Sequence, residues 1–275
     1  MTQRWNGGRA SYRPKGEPIN PADYEVALMA KHERSVAKEF VELHHYAATF
    51  PASRANVGLY VRRTAKLVGV ASFSQPGNEA TLDVLPAGRD EGIELGRLVL
   101  LDSVPANGET WFLRRGFAEL ARAGVARSVL SFADPMVRTT VAGVVVMPGH
   151  VGTIYQALNG VYTGRGTPRS LHLLADGTVF SEQAWSKLRR KIKGWEYAMR
   201  QLVDAGAEPW NGNEPTRVWA LRELHRISRT VRHKGNHRYV WGVDRRASHA
   251  VARHLEQRGV RTDLPRPKVI DLAAL

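Results

Sequence analysis

Residues 94–135 hold the pattern that most restricts the fold of this chain. Positions 98–101 are all apolar, which is typical of a strand covered on both faces. Leu113, Phe117 and Leu120 then recur at a spacing that places them on one face of a helix. The run VARSVLSFADP follows as a second strand and ends at its proline. A strand, a helix and a strand in this order predict one βαβ crossover with a parallel pair.

Short elements of both kinds surround the crossover. Apolar residues at spacings of three and four predict a helix over about 20–46, and two β-rich runs at 55–63 and 66–74 predict a hairpin. GTIYQALN predicts a short helix, and TPRSLHLL and TVF around Ala-Asp-Gly predict another hairpin. We therefore expect an α/β protein with a mixed α+β sheet.

The last third of the chain is strongly basic. Residues 181–275 carry 20 Lys and Arg against 10 Asp and Glu, so they hold +10 of the net charge of +14. Within them, 181–206 is predicted to form one long basic helix, RYVWGV a strand and ASHAVARHLEQRG a last helix. We predict a flexible arm at 1–20, a catalytic core at 21–180 and a basic extension at 181–275, packed on the core and binding nucleic acid.

Composition excludes several classes of site. The chain has no cysteine, which excludes disulfides, a thiol nucleophile and a cysteine-bound zinc. No apolar run approaches the length of a membrane span, and the polar start MTQRWNGGRA lacks a signal core, so a cytoplasmic protein without a membrane partner is expected. A charge of +14 favours an anionic partner such as nucleic acid, the alternative being a solvated basic surface.

The order of elements resembles that of GNAT-type acyltransferases. Their sheet splits between its fourth and fifth strands, and the donor enters the split. In many members the short helix after the fifth strand carries a tyrosine that protonates the leaving group, and Tyr155 in GTIYQALNG holds the matching place. A phenol with a pKa near 10 is protonated at neutral pH and gives its proton to a departing thiolate or alkoxide. The alternative is a tyrosine that packs its helix against the sheet.

The donor site departs from the superfamily pattern. That pattern places two glycines at a helix N-terminus, where free N–H groups hold a pyrophosphate. This chain has one glycine there and an acidic residue beside it, which disfavours phosphate. Arg97 lies inside an apolar strand and needs a partner such as Glu94, Asp102 or a donor carboxylate. The residues assigned to the donor site are Arg97, Asn107, Gly108, Glu109 and Thr110.

Longer stretches resemble the Mom family of phage DNA-modification proteins. They include ELGRLVLLDSVPANGETWFL, SVLSFADP, GHVGTIYQALN, GRGTPRSLHLLADGTVFSEQAWSKLRR and RHKGNHRYVW, and the likeness covers about residues 40–245. Members of this family convert adenine in DNA to N6-(carbamoylmethyl)adenine, which protects the DNA from restriction enzymes. The resemblance implies catalytic roles for His45, Ser131, Asp134 and Tyr155. Asp134 would accept the proton of the adenine amino group, the alternative being an Asx turn before Pro135.

Nucleic-acid contacts are expected mainly around residues 232–239. Cations hold phosphate and an amide can contact a base, although a solvated loop would have the same composition. The residues expected to contact nucleic acid are Arg169, Lys187, His233, Lys234, Asn236, His237, Arg238 and Tyr239. Two histidine pairs, His44-His45 and His233 with His237, could with Asp134 bind a metal. The glycine between His233 and His237 breaks the helical i,i+4 spacing that two metal ligands would need. Polar contacts of these histidines with nucleic acid are therefore favoured over a metal site.

These features predict a transferase that acts on adenine N6 of double-stranded DNA, with the base flipped out of the stack. A glycyl group and a carbamoylmethyl group on N6 are isomers. Glycyl-tRNA is therefore a candidate donor and tRNA a candidate partner beside acyl-coenzyme A, and the incomplete phosphate site favours tRNA. Two alternatives remain, an ordinary GNAT N-acetyltransferase and a non-catalytic DNA-binding protein.

Overall fold

The computed structural model describes residues 2–6, 9–13, 16–76, 78–86 and 88–268. The strands, in chain order, are β1 (Thr2–Asn6), β2 (Arg9–Arg13), β3 (Tyr24–Leu28), β4 (Ser53–Val61), β5 (Lys66–Ser74), β6 (Gly92–Leu100), β7 (Ser128–Ala133), β8 (Arg138–Thr139), β9 (Val145–Met147), β10 (Val161–Arg165), β11 (Arg169–Leu174), β12 (Val179–Phe180), β13 (Ser228–His233) and β14 (His237–Gly242). The helices are α1 (Arg34–His44), α2 (Gly88–Glu91), α3 (Gly108–Arg122), α4 (Thr153–Ala157), α5 (Glu182–Arg190), α6 (Trp195–Asp204), α7 (Thr216–Ile227) and α8 (Arg245–Gln257). Short 3-10 turns lie at Pro21–Asp23, Lys31–Glu33 and Glu79–Val84.

A seven-stranded mixed sheet forms the centre of a first compact unit. This unit comprises the described residues of Met1–Pro135, His150–Arg165 and Asn236–Leu275. The strand order is β10-β14-β7-β6-β5-β4-β3, and every neighbouring pair is antiparallel except β6 and β7. The predicted crossover with a parallel pair is therefore confirmed, as are the β4–β5 hairpin and the helix α3.

The parallel pair separates soon after it forms. Residues Gly92–Glu94 of β6 pair with Ser128–Leu130 of β7, and both strands then continue without further pairing to each other. In chain order β6 and β7 are the fourth and fifth strands of this sheet. The split expected between those two strands is thus confirmed, and the fold is a mixed α/β fold around a seven-stranded sheet.

Helices cover both faces of the seven-stranded sheet because successive strand residues point to opposite sides. On one face Trp241 packs with Phe112 and Leu113 of α3 in the main apolar cluster. On the other face Val240, its neighbour, packs with Val251 of α8. Helix α1 buries Ala37 and Val41 against Val70 and Val99 of the same sheet. Helices therefore cover both faces of this sheet and bury its apolar side chains.

The second compact unit comprises Met136–Gly149 and Gly166–Gly235. Its sheet has the order β12-β11-β13, all antiparallel, and a separate β8–β9 pair accompanies it. The predicted β11–β12 hairpin is confirmed. Trp219 of α7 packs with apolar residues of α5 and α6, among them Leu188 and Leu202. Glu223 on α7 is buried and accepts hydrogen bonds from Arg226 and from the backbone N–H of Glu208, which ties the loop before α7 to that helix.

Two helix predictions are wrong in extent. The segment 20–46 forms a strand before its helix, because Tyr24–Leu28 pairs with β4 at the sheet edge and this pairing overrides the helical spacing. The basic segment 181–206 forms two helices, since Lys191 has φ 50° and Gly194 has φ 87°, neither of which continues an α-helix.

The predicted domain boundaries also differ from the structure. Within the predicted arm, Thr2–Asn6 and Arg9–Arg13 pair as a two-stranded antiparallel sheet. The boundary predicted after residue 180 falls inside the second unit, and β14, which follows it, belongs to the central sheet of the first unit. Residues 1, 7, 8, 14 and 15 of the predicted arm and 269–275 of the predicted extension lie outside the described residues. In the described part of the chain, none of the helices is both long and apolar enough to traverse a bilayer.

Candidate active site

Polar and aromatic side chains gather where β6 and β7 separate. Arg97 lies on β6 beyond the last paired residue, Ser131 lies on β7, and Asp134 follows the end of β7. Tyr155 is on α4 and His45 follows the end of α1. All five belong to the first unit. The four predicted catalytic residues and Arg97, predicted for the donor site, therefore come from four separate segments to one end of the sheet split, which is where α/β proteins commonly bind ligands.

Tyr155 is held by a hydrogen bond to Ser131. The Ser131 hydroxyl donates to the carbonyl oxygen of Leu95 on β6 at 2.8 Å, and its oxygen also bonds the Tyr155 hydroxyl. A serine hydroxyl has one proton, so the Tyr155 phenol must donate the proton of this second bond. Burial raises the pKa of Tyr155 to about 12, so the phenol stays protonated at neutral pH.

Two glycines allow the helix of Tyr155 to sit against aromatic rings. The Tyr155 ring is 5.6 Å from the Tyr239 ring and 5.5 Å from the Trp241 ring, centre to centre. A Cβ at Gly152, which has φ 79°, would lie 2.7 Å from the Tyr239 ring, and one at Gly160 would lie 2.7 Å from the Trp241 ring. The glycines that flank Tyr155 in GTIYQALNG thus permit an approach that no larger residue would allow.

Arg97 is anchored by backbone and hydroxyl oxygens rather than by a carboxylate. Its guanidinium donates to the carbonyl of Thr49 at 3.0 Å, to the Thr49 hydroxyl at 2.8 Å and to the carbonyl of Gly96 at 2.7 Å. Burial lowers the pKa of Arg97, while Tyr46 and Glu94 nearby raise it in smaller measure. Burial also raises the pKa of the Glu94 carboxyl. Arg97 thus places a cation beside the phenol of Tyr155.

Two neutral histidines border the site. Burial, with Arg97 and His150 as further causes, lowers the pKa of His45 to about 3, and its Nδ1 accepts the backbone N–H of Ala47 at 3.1 Å. Burial lowers the pKa of His150 to about 4, against an opposing effect of Asp134. The backbone N–H of His150 donates to the carbonyl of Asp134 at 2.7 Å. Asp134 is itself 9% exposed, so a nearly buried carboxyl faces an uncharged imidazole.

The N-terminus of α3 does not fit a pyrophosphate. Glu109 is 4% exposed in the first turn of α3, so an acidic group occupies the end of the helix where a phosphate would bind. Asn107 has φ 63° and its side chain does not cap the helix. The hydroxyl of Thr110 donates to the carbonyl of Asn107 at 3.2 Å. The residues present disagree with a coenzyme A cradle, and the donor roles of Asn107, Gly108, Glu109 and Thr110 remain predictions.

The residues predicted to contact nucleic acid divide into buried and accessible groups. His233, His237 and Tyr239 are at most 3% exposed. His233 Nδ1 accepts the backbone N–H of Gly235 at 2.9 Å, His237 bonds the Tyr162 hydroxyl at 2.8 Å, and the Tyr239 hydroxyl donates to the Val151 carbonyl at 2.7 Å. These three side chains are used inside the fold, so the structure gives no support for a surface contact, and their contact with nucleic acid stays a prediction.

The other five residues of that set are accessible. Arg169 and Lys234 are exposed, and Lys187 is half-buried in the second unit. Asn236 and Arg238 are half-buried in the first unit, and the guanidinium of Arg238 donates to the Thr163 hydroxyl at 2.8 Å. Contacts of these five with nucleic acid remain predictions. Within the described ranges no three His, Asp or Glu side chains are placed to share a metal ion.

His150 and Trp241 complete the site, and sequence reasoning did not assign either of them a role. The His150 ring lies 6.0 Å from the Tyr155 ring, and the Trp241 ring packs edge-on against it. Gly149-His150 precedes the tyrosine helix directly, which was a usable signal for His150. For Trp241 no local signal exists, because β14 comes next to β7 only through the sheet order.

Comparison with known proteins gives one family and several distant structures. The Mom protein family matches residues 26–258. No curated protein matches the chain. Among solved structures, a tandem GNAT protein from the clavulanic acid biosynthesis pathway is 11% identical, with a TM-score of 0.40, covering 80% of this chain and 99% of its own. An alanine acetyltransferase of ribosomal protein S5 from Vibrio fischeri is 12% identical, with a TM-score of 0.36, covering 59% of this chain and 91% of its own.

Proposed function

Because the chain belongs to the Mom protein family, we propose that it is a transferase that converts adenine in DNA to N6-(carbamoylmethyl)adenine. The observation that carries the proposal is the protonated Tyr155 near Arg97 at the split of the sheet, with Asp134 at the end of β7 beside His150. A protonated acid, a cation and a proton acceptor are the groups that transfer to an amine requires. The modification would protect phage DNA from host restriction.

Tyr155 acts as the general acid in this proposal. When the bond between the transferred carbon and its oxygen breaks, the departing oxygen gains negative charge and takes the phenol proton. A pKa of about 12 keeps that proton in place until a strong base such as an alkoxide forms. Arg97, whose charge acts on Tyr155, stabilises the negative charge that develops at the oxygen.

Asp134 and its neighbours receive the proton of the acceptor. The N6 amino group of adenine must lose a proton when the new nitrogen–carbon bond forms. Asp134 lies at the carboxyl end of β7 and accepts it, while the uncharged His150 offers a hydrogen-bond acceptor at neutral pH. The Nδ1 of His45 already accepts from Ala47, so its Nε2 carries the ring proton and is a donor. In duplex DNA the amino group lies within the base stack, so the adenine is flipped out to reach this site.

We infer that the donor is an ester such as glycyl-tRNA rather than acyl-coenzyme A. The acidic Glu109 in the first turn of α3 opposes a pyrophosphate, whereas an aminoacyl ester needs no such cradle. In the transfer, adenine N6 bonds to the carbonyl carbon, the ester bond breaks, and the ribose oxygen leaves with the Tyr155 proton. The resulting glycyl adenine is an isomer of the carbamoylmethyl adenine. Its conversion breaks the bond from N6 to the carbonyl carbon and the bond from the methylene carbon to the amine. It forms a bond from N6 to the methylene carbon and one from the carbonyl carbon to the amine, so atoms and electrons balance without an oxidant or reductant.

Mass spectrometry of digested DNA tests the proposal. We expect DNA from cells that express the protein to contain a deoxyadenosine heavier by C2H3NO, with fragments that place the added atoms on N6. The matched control is DNA from cells that express Tyr155→Phe. Unmodified DNA with acetylated proteins or amines would instead support an ordinary acetyltransferase. Unmodified DNA together with tight DNA binding would support a non-catalytic DNA-binding protein.

A further inference from the structure

An open groove lies along α8, away from the candidate active site. It has a volume of about 800 Å³ and is lined on one side by Arg245, Arg246, His249 and Arg253 of α8. Arg127, at the start of the segment that leads into β7, lines the other side. All of these residues are exposed and belong to the first unit. We call this surface the α8 groove.

The sequence of α8 places its arginines on one face. Ala247, Val251 and Leu255 are buried against the sheet, and at 100° per residue they define the inner face of the helix. Residues 245, 246, 249 and 253 fall together on the outer face. From Arg245 to Arg253 the helix rises about 12 Å, so three guanidinium groups follow one line along the groove.

The cations of the α8 groove are available for a ligand. Among the residues that the structure describes, Arg245, Arg246 and Arg253 have no hydrogen-bond or ion-pair partner. By contrast, Arg222, Arg226 and Arg62 on other surfaces each pair with a glutamate.

Two acidic residues line the α8 groove, and both already have partners. Glu91 pairs with Arg127 at 3.2 Å, and Asp244 accepts the backbone N–H of Ala247 at 2.7 Å as the cap of α8. Asp244 therefore caps the N-terminus of α8, and the arginine side chains are the groups that remain to bind an anion.

The lining of the groove favours a polyanion backbone over exposed bases. No Phe, Tyr or Trp side chain lines it, so unpaired bases would find only the His249 imidazole on which to stack. Arginine holds phosphate through paired N–H groups. Ser128 also lines the groove, and its buried hydroxyl has no hydrogen-bond partner among the described residues.

The position of the groove suits a duplex that extends from the active site. Ser128 begins β7, and Asp134 follows its other end six residues later, which is about 20 Å of extended chain. A duplex covers that distance in roughly 6 base pairs at about 3.4 Å each. A DNA molecule with its target adenine near Asp134 can therefore bring flanking phosphates to the arginines.

We propose that the α8 groove binds the phosphate backbone of duplex DNA that flanks the target adenine. This inference rests on the proposed function, because DNA is the acceptor there. Binding in the groove orients the duplex and adds affinity without entering the chemistry. It depends on charge and not on base sequence, since arginine-to-phosphate contacts position a duplex without reading it.

The test compares three variants with the wild type in fluorescence anisotropy of a 30-base-pair duplex and of a tRNA, over a range of salt. The first variant carries Arg245→Gln, Arg246→Gln and Arg253→Gln. The second replaces the same residues with lysine and keeps the charge. The control carries Lys31→Gln, Arg63→Gln and Lys66→Gln, which removes three exposed charges elsewhere in the first unit.

For the glutamine variant we expect duplex affinity to fall at least about ten-fold, and the slope of log K against log salt to flatten by up to about 2.7 for three phosphates. The lysine variant and the control keep most of the affinity. A glutamine variant that binds duplex as the control does, or that loses affinity for tRNA alone, overturns the inference. If wild-type protein modifies DNA while that result holds, the proposed function stands and only the groove assignment fails. Wild-type protein that neither binds nor modifies duplex overturns both.

Discussion

At the scale of the residue, the hydroxyl of Tyr155 is the group on which the proposed chemistry depends. Tyr155→Phe keeps the ring among Tyr239, Trp241 and His150 and removes only the proton. We expect the rate of DNA modification to fall about 10²- to 10⁴-fold, as for other positioned acids. The free energy of unfolding should change by about 1 kcal/mol, the usual effect of one hydrogen bond. Single-turnover assays and thermal unfolding measure the two quantities.

Tyr162→Phe is the matched control for that experiment. It also removes a buried phenol hydroxyl, which bonds His237 at 2.8 Å, but this hydroxyl bonds none of the residues proposed to act. We expect its rate to stay near that of the wild type. Equal rates for Tyr155→Phe and the wild type would show that the proton comes from another group, and the role proposed for Tyr155 would be wrong.

The sequence predicted which individual residues come together at the split better than it predicted their surroundings. Tyr155, Asp134 and Ser131 were found because each stands in a short motif next to an element boundary. The burial of His237 and Tyr239 could not be predicted, since it follows from β14 lying between β7 and β10. The residue types in this run of cations and polar side chains do not indicate which of them point into the core and which point to the surface.

At the scale of the element, local patterns predicted strands and helices where tertiary pairing agreed with them. The β4–β5 hairpin and α3 satisfy both levels. Residues 24–28 satisfy the helical spacing too, but they form an edge strand because backbone pairing with β4 stabilises them more. The break between α5 and α6 comes from left-handed backbone at Lys191 and Gly194. The apolar spacing is helical on both sides of this break, so the spacing could not predict it.

The turn after β13 depends on a glycine for reasons of space. Gly235 has φ 94°, and a Cβ there would lie 2.0 Å from the carbonyl oxygen of Gly166. Gly124, which follows α3, has φ 63° but open space around it. We expect Gly124→Ala to lower the free energy of unfolding by about 1–2 kcal/mol, through the strain of its left-handed backbone alone. Gly235→Ala should cost clearly more, because a backbone segment must also move.

Urea unfolding of the two alanine variants measures this difference. Equal costs would mean that the contact between residues 166 and 235 relaxes freely, contrary to the expectation. The comparison is matched, because both substitutions add one methyl group to a glycine of positive φ.

At the scale of the whole molecule, buried neutral histidines predict sensitivity to acid. The pKa of His45 is lowered to about 3, and those of His150 and His237 to about 4, mainly by burial. The unfolded chain titrates its histidines near 6.5, so between about pH 6.5 and 4 the unfolded state binds more protons. The free energy of unfolding therefore has its full value above about pH 6.5 and decreases as the pH falls towards 4. In that range unfolding takes up as many as three protons.

Urea midpoints at pH 7, 5.5 and 4.5 measure that decline. His237→Asn should reduce the proton uptake by about one, since it removes one of the three groups. A midpoint that does not move over this range would contradict the neutral state assigned to these side chains.

The place of β14 in the sheet has a consequence for biosynthesis. β14 is the last strand among the described residues, yet it pairs with both β7 and β10. The ribosome makes β7 about 100 residues before β14, which at typical elongation rates is roughly 5–20 s. Throughout that interval the apolar sequence SVLSFA presents an unpaired edge to every nascent chain nearby. We therefore expect the yield of native protein in a cell to rise at lower temperature or with added chaperones, since both limit the pairing of that edge with other chains.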